Sequence, residues 1–191
     1  TIGGKKMWFD WDINRLNEDG RGELLGDFKG KENIIAICKD GTFYTTNLDL
    51  FNKYQGDLMK VQKFDSEKVF TAIYWDNTVK SYYIKRFVFE LSDNNVQFFI
   101  ADTPGARLVD ISEDLYPQVK VTFVQNGRKE KEAEFIDADE FIAVKGYKAK
   151  GKRAAAGEVA TIEFVEPLEK DAPAFDAEDM MLDSEDINEE K

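Results

Sequence analysis

The 191-residue sequence contains no histidine, a single cysteine, Cys38, and few prolines. Without histidine, Ser-His-Asp and Cys-His catalysis, His-rich zinc sites and the His-carboxylate iron triad are all excluded. One cysteine forms no intramolecular disulfide and no Cys-x-x-Cys knuckle, which points to a reducing compartment. No stretch approaches the roughly 18 to 20 apolar residues that cross a bilayer, and no basic-then-apolar segment opens the chain. A soluble, cytoplasmic protein with no membrane partner is therefore expected. Phosphate-loop, dinucleotide-fold and serine-elbow glycine motifs are absent as well. Asp10-Trp-Asp12-Ile-Asn14 opens like a calcium loop, but Arg15 and Arg21 stand where that loop needs glycine and a bidentate glutamate. No catalytic residue, metal or organic cofactor is expected.

Fifteen phenylalanines, seven tyrosines and three tryptophans exclude a wholly disordered chain. Helical periodicity is scarce, whereas short runs of Ile, Val, Phe, Tyr and Thr bounded by Gly, Asn and Asp recur. Asn33–Cys38 and Thr42–Thr46 flank Asp40-Gly41, which supplies the positive φ of a tight hairpin. A second hairpin is predicted from Val69–Trp75 to Lys80–Glu90 through Asp76-Asn77, with a bulge or bend in its long second strand. Further strands are predicted over Arg107–Ile111, Gln118–Phe123, Phe141–Tyr147 and Val159–Val165. Trp8, Asp10 and Asp12 alternate with Phe9, Trp11 and Ile13 as in a half-buried strand. The fold class is all-β. Apolar starts at Ile35, Phe70, Val109 and Ile142 are 35, 39 and 33 residues apart, a period that suits propeller blades; a sandwich or barrel remains the alternative.

Charge is unevenly spread. Of the formal charge of −12, residues 167–191 carry −8, leaving −4 for the rest. The division expected is a folded body, 1–166, and a disordered acidic tail, 167–191, because such a tail repels itself and has little to bury. In the body the most lopsided run is Lys145-Gly-Tyr-Lys148-Ala-Lys150-Gly-Lys152-Arg153, five cations with no carboxylate among them. Lysine and arginine in this density neutralise phosphate, and the intervening glycines let backbone approach it. Lys5-Lys6 and Lys85-Arg86 are smaller doublets. The chain begins with Thr1 rather than Met, so a piece of a longer polypeptide is expected.

Three segments carry a resemblance. Gly3-Gly-Lys-Lys-Met-Trp-Phe9, the stretch Gly20 to Thr46 and the run Phe141 to Arg153 resemble the C-terminal domain of the A subunit of bacterial type IIA topoisomerases, in a style closest to topoisomerase IV. That resemblance implies an incomplete or broken propeller of three to four blades. It also implies a non-catalytic domain that binds and wraps double-stranded DNA, with the catalytic tyrosine outside this chain. The partners implied are duplex DNA, the remaining parts of the A subunit, and the B subunit. The glycine-rich arginine box of the gyrase version is absent, which implies a non-supercoiling member. The DNA-contacting residues expected are Lys145, Lys148, Lys150, Lys152 and Arg153, followed by Lys85, Arg86, Lys5, Lys6, Arg21, Lys29 and Lys31. A protein-interaction module with an acidic surface and a carbohydrate-binding sandwich using Trp8, Trp11 or Trp75 are the rival readings.

Overall fold

A computed structural model describes residues 4–127 and 129–171; most of the acidic tail, from 172 on, lies outside the described residues, so its expected disorder does too. Among the described residues there are fifteen strands and one helical turn, grouped in four sheets. In the first sheet β1 (Lys5–Asp10) lies between β2 (Arg15–Asn17) and β3 (Glu23–Phe28). The second is built on the Asp40-Gly41 hairpin, β4 (Ile34–Cys38) and β5 (Thr42–Thr46), with β6 (Leu58–Lys63) beside β4 and β9 (Gln97–Phe98) beside β5.

Between those last two in sequence comes the second hairpin, β7 (Phe70–Asp76) and β8 (Ser81–Val88), the centre of the third sheet. On its β7 side lies β10 (Arg107–Ser112). The fourth sheet sets β11 (Gln118–Phe123) between β12 (Glu134–Asp137) and β15 (Val159–Val165). A helical turn, α1 (Ala138–Phe141), follows β12 and leads to β13 (Val144–Gly146) and β14 (Lys152–Arg153), which both return to β8.

The sheets pack face to face in chain order. Met7, Phe9 and Phe28 of the first meet Ile34, Ala36 and Tyr44 of the second in one apolar cluster. Ile35, Ile37 and Phe43, from the opposite face of the second sheet, meet Phe70, Phe87 and Phe89 of the third. The far face of the third, Ile73 and Ile84, meets Val119, Val121 and Ile162 of the fourth. Strand alternation makes this possible: residues i and i+2 serve one neighbour and i+1 the other. Each fully buried Phe contributes about 1.5–3 kcal/mol, and edge contacts such as Phe70–Phe89 and Phe87–Phe89, both 4.9 Å between centroids, add to it. Every sheet contains one register shift, a bulge that twists the strands locally.

Most predicted elements hold, with specific differences. Of the strand expected over Phe141–Tyr147 only Val144–Gly146 forms, because Phe141 closes the helical turn that follows β12 and Tyr147 begins the turn back toward β14. The bend expected inside β8 does not occur, since its pairing with β7 runs unbroken from Phe70↔Phe87 to Asp76↔Ser81; the shift lies on the other flank of β7, between Leu108 and Asp110. The repeat of apolar starts is out of phase with the sheets. Ile35 and Phe70 open central strands, but Val109 lies in an edge strand of Phe70's own sheet, and Ile142 precedes segments that cross back to it. In β1 the core face is Met7 and Phe9; Trp8 is half-buried and Trp11 lies in the turn beyond, where its indole donates to Glu23 Oε2 at 2.8 Å. The body's contacts also extend past Glu166: the Leu168 amide donates to Tyr116 O, and Lys170 pairs with Asp137 and Asp139.

Candidate nucleic-acid interface

One flank of β8 is taken by β7. The other would be an open edge, and residues 144–153 close it in two strokes. β13 runs parallel to β8 at Arg86–Val88, and β14 runs antiparallel at Tyr83–Ile84. Between the strokes the chain must turn back, and residues 147–151 are tied down while doing so. Tyr147 is buried, its ring edge-on to Phe43 at 4.9 Å. Its carbonyl accepts a bond from Lys85 Nζ at 2.5 Å, and the Tyr74 hydroxyl donates to the Lys150 carbonyl at 2.5 Å. Gly151 has φ +88°, and a Cβ there would sit 2.5 Å from Ile84 O, so only glycine fits. Beyond β14 the Ala154 amide donates to Tyr82 O at 2.8 Å.

These anchors face inward and leave the five cations of the run outside. Lys145, Lys148, Lys150, Lys152 and Arg153 are all exposed. Among the described residues only Lys150 lies near a carboxylate, Asp76, at 4.0 Å. Aromatic rings rather than acids accompany two of the others: Lys152 stands 4.3 Å from the Phe141 centroid and Lys148 5.8 Å from that of Tyr147, while Lys150 also lies 5.0 Å from Tyr83. A cation over a ring keeps its full charge for a third party.

Other lysines are neutralised where they stand. Lys60 and Lys68 both bind Glu113; against burial, which raises it, the bonds from Gln62, Lys60 and Lys68 hold the Glu113 pKa below its ordinary value. Lys63 pairs with Glu32 and depresses that carboxyl through its hydrogen bond. Lys170 is raised by its hydrogen bond to Asp137.

The remaining expected contacts divide. Lys85 and Arg86 are buried, 2% and 5% exposed, and so leave the interface. β8 is covered on both faces, so residues of either parity are inside. Lys85 bonds carbonyls, and Arg86 donates to Asp139 Oδ1 at 2.9 Å and to Thr71 Oγ1 at 3.2 Å. Lys5, Lys6, Arg21, Lys29 and Lys31 are exposed but belong to the first sheet and its connection to the second. Lys5 pairs there with Glu18 at 2.5 Å and Arg21 with Asp19 at 3.2 Å.

Two cations of the third sheet escape sequence reading. Trp75 is paired across the third sheet with Tyr82 on one side and Arg107 on the other. Arg107 donates to the Tyr82 hydroxyl at 3.1 Å and lies 5.9 Å from the Trp75 ring. Lys80, in the hairpin turn, shares with Arg153, Trp75 and Tyr82 a cleft of about 210 Å³. Only strand register brings Arg107 to Trp75 and Tyr82 and Lys80 to Arg153, and register is not local information.

The geometry defines an all-β domain of stacked sheets that holds one cationic loop against its third sheet. No group of acidic residues or cysteine disposed to hold a metal is found among the described residues, and none of their helices is long and apolar enough to cross a membrane. Residues 15–166 match the family described as the topoisomerase C-terminal domain of Bacteroidota, and the chain belongs to that family. A solved structure similar in part is that of the C-terminal domain of DNA topoisomerase IV. It shows 11% identity and a TM-score of 0.35 over 78% of this chain and 68% of that one. No curated protein matches the sequence.

Proposed function

We propose that this domain binds and wraps duplex DNA for a type IIA topoisomerase A subunit, through sequence-independent phosphate contacts along the 145–153 loop. The supporting observation is that Lys145, Lys148, Lys152 and Arg153 are exposed, pinned and without a carboxylate partner among the described residues. Each phosphate so neutralised releases counterions, which lends affinity without base readout. Lys80 and Arg107 extend the track along the third sheet, while the exposed lysines of the first sheet form a secondary group. In this reading the four sheets act as blades of an incomplete propeller, and bending the duplex over them costs a few kcal/mol, offset by added contacts. The B subunit and the catalytic part of the A subunit are then its partners, in the bacterial cytoplasm.

Replacing Lys148, Lys152 and Arg153 together by alanine tests this. Duplex affinity, measured by anisotropy at two salt concentrations, should fall across unrelated sequences, and its salt slope should flatten by about two to three. Unchanged affinity and slope would refute the reading. A second reading, docking of a protein partner, has one observation in its favour. Phe51 is 85% exposed at the tip of a loop braced by Asn47 and Asp49. Phe51→Ser would then abolish assembly with the catalytic part while leaving DNA affinity intact.

A further inference from the structure

Lys85 is the least expected residue of the third sheet. Its ammonium sits in the apolar layer between the second and third sheets, 4.7 Å from the Phe87 ring, with no carboxylate paired to it among the described residues. Its two bonds, both 2.5 Å, go to carbonyls far apart in sequence, Phe99 after β9 and Tyr147 in the cationic loop. A buried charge without a counter-ion is costly, so charge-assisted bonds must compensate it.

We propose that Lys85 is the positioning residue of the cationic loop, its ammonium clasping the Phe99 and Tyr147 carbonyls so that Lys148, Lys150 and Lys152 are presented together. In its DNA-binding arm this rests on the function proposed above; in its structural arm it does not. The cleft beside Lys85 brings in Tyr74 and Asp76 from β7, Asp102 from the segment after β9, and Lys148 and Lys150 from the loop itself. Asp76 is already engaged by the Thr78 amide at 2.9 Å and by Lys150. On its own strand Lys85 shares a face with Tyr83 and Phe87, and Arg86 points to the other side. Burial alone brings the Lys85 pKa down to about 8. The ammonium is therefore mostly charged at pH 7 and loses its proton above pH 8, a range in which exposed lysines, near 10.4, keep theirs. Phosphates laid over the loop favour the charged form, so DNA binding above pH 8 takes up a proton at this site.

The test compares the protein with Lys85→Met, which keeps the apolar stem. Amide hydrogen exchange of residues 147–151 should quicken at least about tenfold in the variant while first-sheet amides stay unchanged. Wild-type duplex affinity should fall about fivefold from pH 7 to pH 9.5, and the variant should bind weakly at both. Wild-type exchange rates in the variant's loop overturn the proposal. If the wild-type protein binds no duplex, the DNA function falls and the exchange result alone decides this inference. If Lys85→Met does not fold, wild-type exchange decides it: corrected for base catalysis, opening of 147–151, which returns Lys85 to water and its ordinary pKa, should fall between pH 7 and 9.5 relative to first-sheet amides. A flat profile overturns it.

Discussion

Gly151 offers the sharpest perturbation of the cationic loop, because one methyl group there meets two separate obstacles. With φ at +88°, an L side chain occupies the left-handed region, which costs about 1–2 kcal/mol. The added Cβ would also lie 2.5 Å from Ile84 O and 2.8 Å from Lys85 Cβ, neither of them the free end of a flexible chain. Relief requires β14 to move off β8, which loosens the Lys152↔Ile84 and Arg153↔Tyr83 pairs. Together these put Gly151→Ala at about 3 kcal/mol of lost stability. With a urea slope of about 2 kcal/mol/M, the unfolding midpoint falls by about 1.5 M. Gly146→Ala, five residues earlier in the same segment, meets nothing within 4 Å and serves as control; it should stay within about 0.5 kcal/mol of wild type. Urea titration followed by tryptophan fluorescence reads both. If Gly151→Ala unfolds at the Gly146→Ala midpoint, the close approach of loop and strand is not real, and the account of a pinned loop fails with it.

Stability should pass through a maximum in the alkaline range. Lys85 has a folded pKa near 8 against an ordinary 10.5, so between those values the unfolded chain binds more protons and stability rises with pH, by about 2 kcal/mol. Burial pushes Tyr44 up to about 12, so above pH 10 the unfolded chain ionises first and stability falls again; chemical unfolding at pH 7, 9.5 and 11.5 checks both signs, and Lys85→Met should lack the rise. Asp139→Asn should cost about 1–2 kcal/mol by thermal unfolding, less than removing Arg86, because Arg86 keeps its bonds to Thr71 and Leu115 O. Removing residues 172–191, which carry most of the tail's carboxylates, should raise duplex affinity at low salt and have no effect at high salt; equal affinity at both salts would show that the tail does not compete for the loop.

The hairpins were readable because their information is local. Asp40-Gly41 dictates a turn wherever it lies between β-forming runs, and Gln118–Phe123 and Val159–Val165 show themselves as strands by composition alone. The cationic run from Lys145 to Arg153 was equally plain, since five cations with no acid between them stay together in any fold. The apolar repeat does not coincide with the sheets, because Val109 lies in a strand of the sheet already begun by Phe70, and Ile142 caps a helical turn ahead of β13, which returns to that same sheet.

Chain chemistry by itself therefore determined the class of fold, the positions of most strands and one concentrated source of positive charge. Tertiary packing decided which cations remain usable. Lys85 and Arg86 look like any basic doublet until the second and fourth sheets cover both faces of β8 and draw them inside. Lys80 looks isolated until the fold sets it in one cleft with Arg153, and Arg107 until register sets it against Trp75 and Tyr82. Burial and cross-strand neighbours depend on which surfaces meet, and residues far apart in sequence settle that only when the whole stack forms.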